Sequence, residues 1–177
     1  MVSELENYLQ RIDDLRGQAA GLLAGLPQEA LDWRPLPGVA PAPGEEKVEG
    51  TTNSLAVLAT HIAGAEHFWI GEIVAGHPPS RDRDAEFEVR GLGAAELVTR
   101  LEQVAAETAE VFAALQPEDL EGTREARGRT VPVRWCILHI VDHTALHLGH
   151  MQLTYQLWKG GRGAASPFWY ERLRSQP

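Results

Sequence analysis

The segment from Pro132 to about Lys159 sets the strongest demand on the fold. It carries Trp135, Ile137, Ile140, Val141, Leu146, Leu148, Met151, Leu153, Leu157 and Trp158 around most of a helical circumference. A helix of that kind is buried on several sides: it is the central element of a bundle, or it faces a partner subunit as well as its own core. Thr130 and Pro132 supply a start, and Gly160 with Gly161 a stop. The covering elements must come from the rest of the chain.

Three other segments have the required periodicity. Ser3 followed by Glu6 has the capping-box spacing, and Leu5, Leu9, Ile12, Ala19, Leu22 and Leu26 repeat at helical intervals up to Pro27. A second helix is expected from the capping candidates Thr52, Asn53 and Ser54 to about Gly76, ahead of His77, Pro78 and Pro79. In the third, Leu97, Leu101, Val104, Thr108, Val111 and Leu115 alternate steps of four and three, and Pro117 ends the run. Between Pro35 and Gly50, Pro37, Gly38, Pro41, Pro43 and Gly44 indicate a long exposed connection. "TREARGRTVPV" is a second breaker-rich connection with room for a short hairpin, and "RDRDAEFEVRG" has the charge of a solvated loop. With 177 residues and 44% hydrophobic composition, the chain is expected to form one domain, residues 1–177, folded as an all-α four-helix bundle with long crossover loops.

A formal charge of −9, from 16 basic and 25 acidic residues, repels phosphate backbones and anionic membranes, so neither nucleic acid nor a membrane is an expected partner. The apolar stretch "SLAVLATHIAGAEHFWI" is interrupted by His61, Glu66 and His67 and falls short of the roughly 20 residues a membrane span needs. "MVSELENYLQ" has no signal-peptide pattern, and the single Cys136 has no partner for an internal disulfide, which together point to the cytoplasm.

Four of the seven histidines, His139, His143, His147 and His150, fall on one stripe of the last helix, because steps of four and three residues rotate by about +40° and −60°. Two imidazoles four residues apart can reach one ion; a third ligand must come from another helix, as in bundle metal sites. His61 is the candidate, since Val57, Leu58, Ala65 and Phe68 share its face, whereas His67 is rotated by about 240° and points away. A lone His61 would be a hydrogen-bonded core residue; beside His143 and His147 it completes a three-nitrogen metal site. His150 is a candidate group behind a ligand or in the cleft, and His139 a structural residue. "HTALH" places Thr144 where a zinc protease needs its glutamate, and no histidine of the trio follows a Glu by three residues as in di-iron bundles. Three histidines leave a coordination position open, the layout of a catalytic ion, and zinc, nickel, iron and manganese all accept imidazole.

"LDWRPLPG", "TNSLAVLATHIAGAEHFW", "ILHIVDHTALHLGHMQL" and "SPFWYERL" resemble the DinB-like superfamily of four-helix metal-binding proteins, including its YfiT-like and thiol-dependent S-transferase and isomerase branches. The resemblance covers nearly the whole chain. It implies an up-down-down-up bundle, frequent homodimers, and a divalent ion held by His61, His143 and His147. It also implies a transferase or isomerase using a low-molecular-weight thiol such as mycothiol, bacillithiol or glutathione on an electrophilic small molecule. Cys136 is expected to be a buried apolar residue rather than the sulfur donor. Lys159, Arg162, Arg172 and Arg174 either hold carboxylates of a thiol cofactor or serve as surface charge. Two other functions fit the same residues: hydrolysis by metal-activated water, which lacks an evident carboxylate base since Asp142 is turned about 100° from His143, and a non-catalytic metal-binding or dimeric scaffold.

Overall fold

Ser3 caps the first helix, α1 (Glu4–Leu23), as its spacing to Glu6 predicts: Ser3 Oγ accepts from the Glu6 amide at 3.2 Å, and Glu6 Oε2 accepts from the Ser3 amide at 2.6 Å. The computed structural model describes residues 3–36 and 52–161. Pro37, Gly38, Pro41, Pro43, Gly44, Gly50, Arg162, Trp169, Arg172 and Arg174 and the segment "SPFWYERL" lie outside the described residues.

After α1 comes a short helix, α2 (Gln28–Asp32), which the breaker-rich surroundings did not suggest. The long connection that follows starts and ends at one place, because the Leu36 amide and carbonyl both bond the Thr52 hydroxyl, at 2.9 and 3.0 Å. Ser54 caps α3 (Leu55–Glu66) by accepting from the Val57 amide at 3.3 Å. The expected second helix does run on towards Gly76, but from His67 to Val74 it widens into a π-helical segment, with the Ala75 amide bonded to the Ile70 carbonyl at 3.0 Å.

The segment expected to be a solvated loop contains a helix, α4 (Arg83–Glu88), whose Asp82 cap accepts from the Ala85 amide at 3.0 Å. Its charge pattern misled because six residues are too few to show a periodic face, and one of its acidic residues, Glu86, is buried. Helix α5 (Ala94–Ala114) buries Leu97, Leu101, Val104, Thr108 and Val111, the seam its sequence announced. A 3-10 turn (Pro117–Glu121) leads into the hairpin β1 (Thr123–Ala126) and β2 (Arg129–Pro132), turned through Arg127 and Gly128, both at positive φ.

Helix α6 (Val133–Trp158) closes the bundle. Helix α1 packs against α5 and α6, and α3 packs against the same two, so the four long helices form a four-helix bundle with α1 and α3 on one diagonal. α6 is not the central rod: it buries one stripe, Val133, Ile137, Ile140, Thr144, Leu148 and Met151, inside the bundle. Its opposite side leaves Trp135 45%, Leu138 39%, Leu146 59% and Leu153 55% exposed among the described residues. A ring of four helices can bury each member only on its inner face, so apolar groups spread round a member's circumference must partly face outward.

Two apolar layers fill the interior. One holds Leu15, Leu23, Leu55, Ile62, Leu101 and Met151; the other holds Ile12, Ile70, Phe112, Val133, Ile137 and Ile140. Bridging α1, α3 and α5 is a buried polar cluster: the Arg16 guanidinium donates to Glu66, and Thr108 Oγ1 donates to Glu66 Oε1 at 2.6 Å. No described helix is long and apolar enough to cross a membrane.

Candidate metal centre

The i, i+4 spacing on α6 places His143 and His147 on one side, with ring centroids 4.4 Å apart, and α3 brings His61 opposite them. The His61 and His143 Nε2 atoms are 3.1 Å apart. Two ligands each about 2.0–2.1 Å from one ion at a tetrahedral angle would stand about 3.3 Å apart, so this separation suits a shared ion. The separation alone also suits an N–H···N hydrogen bond; the third imidazole is what distinguishes the arrangement. One ligand atom from each of His61, His143 and His147 lies within 4.8 Å of the others, and the three could hold a metal ion.

Electrostatics favour the neutral rings that a metal requires. Burial, reinforced by the neighbouring imidazoles, pushes His143 down to about 3 and His147 down to about 4. His143 Nδ1 is buried and has no hydrogen-bond partner among the described residues.

His61 is oriented from behind. Its Nδ1 lies 2.7 Å from Glu86 Oε2, and Arg81 grips the same carboxylate through Nε to Oε1 at 2.6 Å and Nη2 to Oε2 at 2.9 Å. An Nδ1–H donated to a carboxylate leaves the Nε2 lone pair facing His143, the tautomer a metal ligand needs. Burial alone would raise the Glu86 carboxyl, but the bonds from Arg81 and His61 outweigh it and hold the group below the usual carboxylate range. Phe87 packs its ring 4.9 Å from that of His61. Sequence patterning missed Glu86 and Arg81, since neither shares a helix with any of the three histidines. The nearest signal is Gly64, one turn after His61: a Cβ there would overlap the Glu86 carboxylate.

The remaining histidines lie outside the trio. His150 is exposed, with its Nδ1 3.4 Å from His147 Nδ1. His139 stacks on Trp135 at 4.8 Å and 5° and stays outside the trio. His67 turns away to Glu107 on α5, its Nδ1 2.7 Å from Oε2, while His77 Nδ1 meets Oε1 of the same carboxylate at 2.9 Å. Asp142 is exposed. Cys136 is buried, and burial pushes its thiol up to about 11, so it is a packing residue and a poor nucleophile. Lys159 Nζ lies over the Trp158 ring, 5.4 Å from its centroid.

A cleft of about 660 Å³ is lined by Trp33, Leu36, Leu58, His150, Leu153 and Leu157 among others; none of the three imidazoles lines it. Leu58 stands one turn before His61 and His150 one turn after His147, so the cleft begins one layer above the three imidazoles. Its walls are mostly apolar, as small-molecule sites usually are.

Residues 11–151, well over half of the chain, match the model of the DinB superfamily. No curated protein matches. Among solved structures, a conserved protein from Enterococcus faecalis is similar at a TM-score of 0.70 with 14% identity, covering 90% of this chain and 99% of that one. A DinB-like protein from Bacillus cereus is similar at 0.66 with 18% identity, covering 91% and 96%. A second DinB-like protein, from Bacillus subtilis, is similar at 0.63 with 16% identity, covering 92% and 96%. At these identities the likeness concerns the fold.

Proposed function

Because the chain belongs to the DinB superfamily, we propose that His61, His143 and His147 hold a divalent ion, zinc, nickel, iron or manganese. On this reading the protein is a cytoplasmic transferase that joins a low-molecular-weight thiol of the mycothiol, bacillithiol or glutathione type to an electrophilic small molecule. The convergence of three imidazoles from two helices, one layer from an apolar cleft, carries the proposal. A divalent ion there supplies a positive charge that keeps an incoming thiol in its reactive thiolate form.

The chain's own residues do the rest. Glu86 and Arg81 fix the His61 ring; burial keeps His143 and His147 free of protons; and the apolar walls of the cleft offer a surface for the body of a small molecule. His150 stands between His147 and the cleft, where it can orient His147 or touch a bound molecule. Cys136, buried and with a raised thiol pKa, leaves the sulfur to come from the co-substrate. The exposed apolar stripe of α6 supports a homodimer, with a second copy covering Trp135, Leu138 and Leu146.

The test is the rate of conjugation of monochlorobimane to each candidate thiol, with and without added metal. A metal-dependent rate with one thiol, abolished in His143→Ala, is the expected result. The absence of a metal-dependent rate with any of the thiols would overturn the transferase reading.

A further inference from the structure

Glu86 has no counterpart in the ligand set, yet it is the most firmly held carboxylate near it. It is 5% exposed, accepts two bonds from Arg81, and meets His61 Nδ1 at 2.7 Å. The carboxylate rests against the α3 backbone at Gly64: a Cβ there would overlap Glu86 Oε1, so a larger residue would force this clamped group to shift. A glycine inside a helix costs roughly 1 kcal/mol relative to alanine, so helix propensity does not account for it here. Arg81 and Glu86 come from one stretch of chain, and that stretch is tied down elsewhere too: the Glu72 carboxylate accepts the Ser80 and Arg81 amides at 2.6 and 2.8 Å, and Arg34 Nη2 donates to the Phe87 carbonyl at 3.2 Å.

We propose that Glu86, clamped by Arg81 and seated over Gly64, is the positioning residue of the metal centre, and that docking of the Arg81–Glu88 segment and metal binding are one coupled event. The inference rests on reading the three imidazoles as a metal site. Glu86 holds His61 Nδ1 protonated and the ring in place, so Nε2 is presented as a lone pair. When the segment lifts away, His61 is free to rotate and to take the other tautomer, and affinity falls. Outer-sphere partners of this kind are typically worth about 10- to 100-fold in metal affinity. Coupling between two sites is reciprocal, so metal binding must strengthen docking of the segment by the same factor.

Three measurements on the full chain test this. Zinc titration calorimetry should show affinity weakened about 10-fold in Glu86→Gln, which keeps size and an acceptor but removes charge, and towards 100-fold in Glu86→Ala. Gly64→Ala leaves the carboxylate chemistry intact but blocks its seat, and should weaken zinc binding in the same direction. Glu88→Gln, on the exposed side of α4, should bind zinc as the wild type does. Cobalt(II) bound to Glu86→Gln should show a changed visible ligand-field spectrum, which a merely structural role would not produce. Hydrogen exchange of the residue 85–88 amides in the wild type should slow by about 10- to 100-fold on zinc loading. If the wild type binds neither zinc nor cobalt, the metal reading fails and this inference with it. If the wild type binds and folded Glu86→Gln and Gly64→Ala bind equally well, or the segment's exchange is indifferent to zinc, only the positioning role is overturned.

Discussion

Each of the two α6 histidines of the cluster carries a cost that appears only in the folded state. With His143 pushed down to about 3 and His147 to about 4, the folded chain keeps both rings neutral while an unfolded chain takes up protons near 6.5. The unfolded state therefore binds more protons as pH falls, so this contribution to stability is complete above about 6.5 and is lost progressively towards 4 and below. Between pH 7 and pH 5 the loss is about 2 kcal/mol for each imidazole that stays unprotonated in the fold. Urea unfolding of the metal-free protein should show this slope relative to a His143→Asn/His147→Asn double variant. Zinc should raise the stability of the wild type at each pH and leave this slope unchanged or steeper, since ligated rings take up no protons in the fold. A wild-type profile parallel to that of the double variant would show that the rings are not held neutral by the fold.

At the scale of elements, one of the contacts that join α1, α3 and α5 is polar. Burial pushes Glu66 up to about 7, against the opposing pull of Arg16 and Thr108. A raised carboxyl binds its proton more tightly in the folded state, so its contribution is full below about 4.5 and is lost as pH rises from there to about 7. Glu66→Gln should accordingly be near neutral at pH 4.5 and gain roughly 2 to 3 kcal/mol on the wild type by pH 8, consistent with the modest net worth of buried ion pairs. Thermal melts at the two pH values check it; a variant that instead loses ground as pH rises would show that Arg16 needs the carboxylate. Because the Glu66 and histidine trends oppose each other between about 4.5 and 6.5, each is legible only as a difference between variant and wild type.

At the scale of the whole molecule, one long helix of a four-helix ring keeps apolar groups on its outer face. Trp135, Leu138 and Leu146 face outward among the described residues, and a second copy is the proposed cover. Sedimentation equilibrium should then find a dimer for the wild type and a monomer for Leu138→Glu/Leu146→Glu, with helical content unchanged. A wild-type monomer would leave the stripe without a dimer role.

The amino-acid sequence by itself determined what depends on near neighbours along the chain. Apolar periods of three and four residues placed the long helices, the Ser3–Glu6 spacing set a cap, and the step of four residues brought His143 and His147 to one side, because a helix converts sequence distance directly into angle. His61 was within reach of the same logic through its apolar face. Only the tertiary structure decided that Glu86 and Arg81, some twenty residues further on, stand behind His61, that His67 belongs to Glu107, and that α6 buries a single stripe. Those outcomes depend on how separate helices register against one another, and a carboxylate destined for burial beside a ring has the same local signature as one bound for water.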